Sequence, residues 1–140
     1  MIRDDVELKP GAESFVTLVA QHFRLCVASS SRRDSIEACL VKFELCAAFE
    51  ELFSATELTR GKPRPDVFLE AVCQMQVEPS NAVVVEDSVP GLRAAEAAGM
   101  RCIVCPDTSL LEPAERCCGV TVLVTSLAEL TIETIRTLGD

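Results

Sequence analysis

The segment from Ala82 to Gly99 reads Ala-Val-Val-Val-Glu-Asp-Ser-Val-Pro-Gly-Leu-Arg-Ala-Ala-Glu-Ala-Ala-Gly. Its first four residues form an unbroken apolar run, which is typical of a strand in a sheet covered on both faces. Pro90 suits the first turn of a helix and Gly99 its C-terminal cap, and the alanines between them allow close packing on a sheet. The segment therefore predicts a strand, a polar turn and a helix in succession.

The apolar patterns on either side of this segment repeat the same alternation. Further strands are predicted at Arg24–Ala28, Leu52–Ala55, Arg101–Cys105 and Val120–Val124. Further helices are predicted at Pro10–Phe23, at a stretch holding Ile36, Leu40 and Phe43, after Asp66, and at Ser126–Leu138. Strands that alternate with helices favour an α/β fold with a parallel sheet, right-handed crossovers and helices on both faces.

In three of these helices, the spacing of apolar residues predicts which side chains face the core. The positions are Phe15, Leu18, Val19 and His22 in the first helix, Phe68, Leu69, Val72 and Cys73 in the third, and Leu127, Leu130, Ile135 and Leu138 in the last. Asp66 is expected to cap the third helix. His22, the only histidine, is expected to pack on its helix or to lie at the surface near the helix end, without a catalytic role.

The composition excludes several classes of protein. The 140 residues carry 13 Lys+Arg against 22 Asp+Glu, a formal net charge of −9, and contain neither Trp nor Tyr. Such a chain lacks the basic surface and the stacking platform that bind nucleic acid. With 49% apolar residues it can bury a core, yet no apolar run approaches the roughly 18 residues of a membrane span. The N-terminal residues lack the apolar stretch of a signal peptide, so we expect a cytoplasmic protein.

Eight cysteines in a chain without a secretory signal indicate reduced thiols. Four of them stand singly among apolar neighbours and are expected to be small core residues: Cys26, Cys39, Cys46 and Cys73. Cys102 and Cys105 have the spacing of a zinc knuckle that Cys117 and Cys118 could complete. Because residues three apart in a strand point to opposite faces, we expect no zinc site there.

Polar residues follow two of the predicted strands and occupy one loop. Ser29–Ser31 come after the first strand, where hydroxyl and backbone N–H groups can hold an anion. Glu86 and Asp87 follow the Val83 strand and are oxygen ligands suited to magnesium. Lys62 lies in a loop between them along the chain. Since ligands of parallel sheets bind beyond the carboxyl ends of the strands, we expect these groups at one edge.

Each of these groups also has an ordinary structural explanation. A serine-rich loop commonly caps a helix, a loop lysine is commonly solvated, and an acidic pair after a strand is commonly an exposed turn. The combination indicates a phosphate site, because a dianion that enters a protein of charge −9 needs nearby cations to offset the repulsion. Lys62 and a carboxylate-bound metal ion could supply them.

Three segments, in this order, resemble the second, third and fourth motifs of the haloacid dehalogenase-like hydrolases. They are Val27-Ala28-Ser29-Ser30-Ser31, Gly61-Lys62-Pro63-Arg64-Pro65-Asp66-Val67-Phe68 and Val83-Val84-Val85-Glu86-Asp87-Ser88-Val89-Pro90-Gly91-Leu92-Arg93-Ala94-Ala95. The resemblance runs from about Leu8 to Asp107 and is greatest to the branch that contains β-phosphoglucomutase and the sugar-phosphate and phosphoglycolate phosphatases. It implies one core domain over residues 1–140, the C-terminal part of the family's catalytic domain, with a Rossmann-like three-layer parallel sheet and no cap domain.

The resemblance also implies magnesium-dependent phosphoryl transfer, as a phosphatase or phosphomutase, on a small phosphorylated metabolite such as a sugar phosphate. Ser29 and the backbone N–H of Ser30 would hold the phosphoryl group, and Lys62 would neutralise its charge. Glu86 and Asp87 would hold magnesium, Asp87 more directly. The catalytic residues so implied are Lys62 and Asp87.

The family's first motif, an Asp-x-Asp segment that supplies the nucleophile, has no counterpart in this sequence. Asp4 and Asp5 follow no apolar strand, and a nucleophile must stand within about 3.5 Å of phosphorus, so neither is a substitute. Ser31 and Arg32 would lie at the mouth of the site, where the outer groups of a substrate could reach. We expect the 140-residue chain to keep phosphate and metal sites without turnover by itself.

The missing motif also removes a strand that is central in the resembled fold, between the Leu25 and Val83 strands. Its removal leaves a slot of about 10 Å, twice the spacing of neighbouring strands. Buried backbone groups left unpaired along it would cost about 1–3 kcal/mol each. Four arrangements could close the slot: direct pairing of the flanking strands, an N-terminal complementing segment from another chain, a swapped dimer, or a longer coding sequence.

Two other functional interpretations stay open. A non-catalytic phosphate-binding or partner-binding module would keep the anion pocket and use its open strand edges to bind a partner. An unrelated flavodoxin-like or receiver-like domain would share the α/β pattern, but those folds lack a Lys-Pro loop followed by Glu-Asp. The sequence does not indicate which metabolite is the substrate, since the cap commonly shapes specificity in the resembled family.

Overall fold

The computed structural model describes residues 7–106 and 121–138. Its strands are β1 (Cys26–Ser29), β2 (Glu51–Ser54), β3 (Val83–Glu86), β4 (Arg101–Val104) and β5 (Thr121–Leu123). Its α-helices are α1 (Ala12–Ala20), α2 (Arg33–Lys42), α3 (Asp66–Met75), α4 (Val89–Ala97) and α5 (Ile132–Arg136). Strands and helices alternate along the chain, as the sequence predicts. Among the helices described, none combines the length and the apolar character that a bilayer crossing requires.

Every strand pairing within the described ranges is parallel. β1 pairs with β2, with Cys26 opposite Glu51, and β3 pairs with β4, with Val83 opposite Arg101. β5 lies on the other side of β4, so the strands form a two-stranded sheet, β1-β2, and a three-stranded sheet, β3-β4-β5. β1 and β3 do not pair with each other in the described part of the chain. Direct pairing of the two flanking strands is therefore not what closes the predicted slot.

The peptide groups along β1 and β3 alternate between the paired edge and the gap between the sheets. The Leu25 carbonyl accepts a hydrogen bond from the β2 side, from Glu50 N–H at 2.8 Å. The Glu86 carbonyl accepts one from Cys105 N–H, next to β4, at 2.9 Å. Because successive peptide groups along a strand point to opposite edges, those of Cys26, Ala28, Val83 and Val85 face the gap. Among residues 7–106 and 121–138, no strand pairs with β1 or β3 along the edges that border the gap, although the Ala28 carbonyl accepts a hydrogen bond from Lys62.

Two apolar clusters cover opposite faces of the sheets. The larger cluster packs α3 and α4 against both sheets and includes Phe53, Phe68, Val84, Leu92 and Cys102. The other packs α1 and the C-terminal helices against β4 and β5 and includes Phe15, Val19, Ile103, Leu127 and Ile135. Because the larger cluster is continuous beneath the gap, it joins the two sheets into the three-layer architecture that the sequence predicts.

Val85 departs from the expectation of a strand covered on both faces. Val85 is 43% exposed, whereas Val84, its neighbour in β3, is 8% exposed. Val85 lies at the gap edge of the sheet, where no adjacent strand of the described chain brings side chains to cover it.

The predicted first helix is too long. α1 ends at Ala20, so His22 lies beyond it in a turn and is exposed, and Leu18 is also exposed. Of the four side chains that the spacing predicts to face the core, only Phe15 and Val19 are buried, because this short helix packs on its cluster through a single row of side chains.

The third helix begins differently from the prediction. Pro65 occupies the N-cap position, and Asp66 instead forms an ion pair with Arg60 at 3.0 Å. The buried residues of α3 are Val67, Phe68, Ala71 and Met75, whereas Leu69 and Cys73 are exposed and Val72 is partly buried. The buried face is therefore rotated from the predicted one, because α3 packs on β1 and β2 through its Val67–Phe68 side.

The predicted helix Ser126–Leu138 is interrupted. A 3-10 turn at Leu127–Glu129 is followed by extended backbone at Leu130, with ψ of 136°, before Thr131 caps α5. The four side chains that were predicted to be buried are all buried despite this break. The break lets Leu130 reach the core from extended backbone, which a periodicity argument does not anticipate.

Burial of the cysteines differs from the prediction. Cys46 and Cys73 are exposed, and Cys26 and Cys39 are half-buried, so the expectation of core cysteines is wrong for the first two. Cys102 and Cys105 are buried in different clusters, as strand alternation predicts, and burial raises the pKa of the Cys102 thiol to about 12. The predictions for Cys117, Cys118, Asp4 and Asp5 concern residues outside the described ranges.

Candidate functional site

The ammonium group of Lys62 lies between the carboxyl ends of β1 and β3. Its Nζ is 2.8 Å from Oε2 of Glu86, at the end of β3, and donates a hydrogen bond to the Ala28 carbonyl of β1 at 3.4 Å. The side chains of Lys62 and Glu86 are each only 10% exposed. Lys62 is therefore not a solvated loop lysine, and Glu86 does not lie in an exposed turn.

The loop before α3 positions Lys62. Arg60 and Asp66 form an ion pair on either side of the loop, and the Lys62-Pro63 peptide bond is cis. The Lys62 ammonium also lies 5.0 Å from the centroid of the Phe68 ring, a cation–π contact with α3. Because Phe68 is itself buried in the larger cluster, the core fixes one wall of the lysine's environment.

The electrostatics of Glu86 reflect its burial. Loss of water raises the pKa of its carboxyl group above the ordinary value, and the nearby charge of Asp87 raises it further. The hydrogen bond and the positive charge of Lys62 act in the opposite direction. The carboxylate thus depends on a nearby cation, which is Lys62 in this structure.

The serine loop follows β1 directly and is shaped by hydrogen bonds within itself and from β2. Ser31 N–H donates to Oγ of Ser29 at 3.1 Å, and the hydroxyl of Ser54 donates to the Ser31 carbonyl at 2.6 Å. Ser54 is 2% exposed, so it holds the loop from below. Sequence reasoning missed Ser54; its place at the end of the predicted Leu52 strand is the only signal for it.

The remaining predicted residues lie nearer the solvent. Ser30 and Ser31 are exposed, and the Arg32 side chain, 77% exposed, pairs with Asp34 at 3.2 Å. Asp87 is exposed next to the buried Glu86. The structure therefore brings Lys62, Glu86 and the end of β1 into contact, and it leaves Arg32 paired within its own helix start.

The donor set fits a magnesium ion that is completed by other ligands. Among the described residues there is no group of three or more His, Cys, Asp or Glu side chains that could hold a metal ion. Magnesium is commonly bound through one or two carboxylates together with water and substrate phosphate oxygens. The adjacent carboxylates of Glu86 and Asp87 match that pattern.

The start of α4 supports the acidic pair from below. Ser88 caps the helix, accepting a hydrogen bond from Gly91 N–H at 3.2 Å. Gly91 is buried directly against the Glu86 side chain. Gly91 belongs to the segment Val83–Ala95 on which the family resemblance rests, but the sequence assigns it no separate role, since a glycine signals only that space is limited or that the backbone is unusual.

Comparison with known proteins connects this geometry to a family. Residues 2–105 match the family model described as "Haloacid dehalogenase-like hydrolase". The chain is 36% identical over 107 residues to hexitol phosphatase B from Escherichia coli, an alignment covering 76% of this chain and 48% of that protein.

Solved structures share the fold. A mutant of CbbY from Rhodobacter sphaeroides in complex with xylulose-(1,5)bisphosphate matches with a TM-score of 0.78 and 34% identity, over 88% of this chain and 56% of that one. β-Phosphoglucomutase from Clostridium difficile matches with a TM-score of 0.74 and 24% identity, over 92% of this chain and 55% of that one, which shows a common fold.

The chain spans about half the length of these relatives. The matched region contains the ends of β1 and β3 and the Lys62 loop, which are the segments on which the sequence resemblance rested. That resemblance is confirmed. The chain belongs to the haloacid dehalogenase-like hydrolases.

Proposed function

We propose that this chain is the phosphate-binding and magnesium-binding part of a phosphatase or phosphomutase that acts on small phosphorylated metabolites. One observation carries the proposal. The Lys62 ammonium contacts both the carboxyl end of β1 and the Glu86 carboxylate of β3. One cation therefore connects two strand ends that are far apart in sequence.

In this proposal the serine loop holds the anion. The Ser29 hydroxyl and the Ser30 N–H bind the oxygens of the phosphoryl group, and Lys62 neutralises its charge. Ser31 and Arg32 lie where the outer part of a substrate would contact the protein.

Glu86 and Asp87 are the proposed magnesium ligands. The ion would supply positive charge next to the phosphoryl oxygens, which reduces the repulsion of a dianion by a protein of charge −9. Lys62 is within reach of the Glu86 carboxylate, so it holds that ligand in place before the ion binds.

The relatives support small phosphorylated compounds as substrates. One is named a hexitol phosphatase, and the CbbY structure holds a sugar bisphosphate. The sequence itself contains no Asp-x-Asp segment, so we propose that turnover by these 140 residues alone is near background. The proposal includes a cytoplasmic location, since reduced thiols suit that compartment.

Titration calorimetry with inorganic phosphate, with and without MgCl2, tests this proposal on the purified chain. We expect binding that strengthens with magnesium and that weakens by about tenfold or more in Lys62→Ala, which corresponds to about 1.4 kcal/mol or more of binding free energy. Lys42→Ala removes the same charge from the end of α2 and is expected to bind as the wild type does.

Two results would count against the proposal. Equal phosphate affinity in Lys62→Ala and the wild type, with both variants folded by circular dichroism, would remove Lys62 from the site. Rapid hydrolysis of a generic phosphate ester by the pure chain would contradict the proposed lack of turnover.

A second candidate function is a partner-binding module, and it is favoured by the edges of β1 and β3 with which no strand of the described residues pairs. Unpaired strand edges bind extended segments by main-chain hydrogen bonds. The exposed Val85 side chain adds apolar surface at the same gap. The partner would be an extended segment that pairs with the edges of β1 and β3 facing the gap.

The mass of the protein in solution discriminates this candidate. A dimeric mass, measured by light scattering after size exclusion, would support it. A strictly monomeric chain that unfolds in one cooperative transition without a partner would count heavily against it.

A further inference from the structure

Gly91 lies in the first turn of α4, directly against the side chain of Glu86. A Cβ atom built on Gly91 would fall well within 3.0 Å of three Glu86 atoms, Cγ, Cδ and Oε2, a closeness that real Cβ contacts essentially never show. The three nearest atoms all belong to this one side chain. Any residue larger than glycine would therefore compete with Glu86 for the same space.

Neither backbone can move aside easily. The Glu86 carbonyl is bonded to Cys105 N–H at 2.9 Å, which fixes the end of β3. Gly91 N–H is bonded to the Ser88 hydroxyl, and the next residue, Leu92, is completely buried. The Glu86 side chain is the part that would have to move, and its contact with Lys62 would be lost.

Gly91 also lacks the usual reason for a glycine. Among the described glycines, only Gly11 and Gly99 have a positive φ. The backbone conformation at Gly91 therefore does not require a glycine. In ordinary helical backbone alanine is more favourable than glycine. The glycine is thus explained by the space that Glu86 occupies.

We infer that Gly91 is a positioning residue: by lacking a side chain, it keeps the Glu86 carboxylate folded over the start of α4 and in contact with Lys62. The expected effect of Gly91 on ligand binding rests on the proposed function, whereas the steric contact between Gly91 and Glu86 does not. The inference extends the site beyond the residues that carry charge or hydroxyl groups.

A set of variants separates the steric effect from the electrostatic one. Gly91→Ala is expected to lower the melting temperature of the chain. Added to Glu86→Gln, which keeps the shape of the side chain and removes its charge, Gly91→Ala should lower it again. Added to Glu86→Ala, which removes the clashing atoms, Gly91→Ala should leave the melting temperature unchanged or raise it, as alanine usually does in a helix.

Binding of inorganic phosphate in MgCl2 gives the functional readout. Gly91→Ala should weaken it by about tenfold or more. If Gly91→Ala alone does not fold, the comparison of Glu86→Ala with Glu86→Ala/Gly91→Ala still tests the inference.

Equal destabilisation by Gly91→Ala in the wild-type and Glu86→Ala backgrounds would overturn the inference, because the clash would then not involve Glu86. A Gly91→Ala chain that is as stable as the wild type and binds phosphate equally well would also overturn it. If the wild type itself binds no phosphate, the proposed function fails while the melting temperatures still test the positioning of Glu86.

Discussion

At the scale of single residues, Lys62 shows how far sequence reasoning reaches. Its loop, its prolines and the acidic pair downstream indicated a cation near a phosphate site. The sequence could not indicate that the ammonium would be buried between Glu86 and the Phe68 ring, because that depends on how α3 packs on the sheets. The roles of Gly91 and Ser54 could not be predicted for the same reason, because both depend on contacts that form only on folding.

Loss of the Lys62 ammonium should destabilise the fold as well as the site. Removing one partner of a largely buried ion pair leaves an uncompensated charge, and we expect Lys62→Ala to lower the free energy of unfolding by about 3 kcal/mol. Urea unfolding followed by circular dichroism measures this. Lys42→Ala, at an exposed position, is the matched control; its ammonium lies 5.3 Å from the centroid of the Phe43 ring, so its loss should change stability by no more than about 1 kcal/mol. Similar stabilities for the two variants would show that the pair is not buried as described.

At the scale of elements, prediction succeeded where an apolar pattern and its caps agree. The β3-turn-α4 unit begins and ends within a residue or two of the sequence prediction, since Ser88, Pro90 and Gly99 mark its boundaries. Prediction failed at α5, where Leu130 is buried from extended backbone, and at α3, where Asp66 pairs with Arg60. In both, tertiary contacts override the local signal.

The turn before α5 depends on a charged carboxylate. Backbone N–H groups of Ser126 and Thr125, together with the Thr125 hydroxyl, hold the pKa of Glu129 below its ordinary value. A carboxyl group with a lowered pKa in the folded state stabilises the fold at neutral pH, and this contribution is lost as the pH falls through the lowered value.

We therefore expect Glu129→Gln to melt at a lower temperature than the wild type at pH 7, with the difference shrinking as the pH is lowered below about 4. Glu133→Gln, at an exposed position in the first turn of α5, controls for the change of charge. Thermal melts at several pH values provide the comparison. A difference that is the same at every pH would exclude the capping charge as the cause.

At the scale of the whole molecule, the alternation of strands and helices sufficed to predict parallel pairing in an α/β fold, and the three-layer architecture followed from the family resemblance. It could not predict that the strands would form two sheets, since a sequence pattern gives each strand but not its neighbour. The family resemblance predicted the gap between β1 and β3, and in the described part of the chain neither strand pairs with another strand on that side. The larger apolar cluster explains how the two sheets stay together.

Hydrogen exchange should reveal the open edges directly. The amides of Cys26, Ala28, Val83 and Val85 face the gap and should exchange much faster than those of Val27 and Val84, which face paired strands. Exchange of a 15N-labelled sample into D2O, followed residue by residue, measures the contrast. Equal protection along both strands would mean that the gap is filled in solution.

In the proposed function, the serine loop, the Lys62 loop and the acidic pair form one anion site. Titration of a 15N-labelled sample with inorganic phosphate in MgCl2, followed by amide chemical shifts, tests whether they do. We expect the amides of Ser30, Lys62 and Asp87 to shift together with a single dissociation constant. Shifts confined to one loop, or separate dissociation constants for the three, would contradict it.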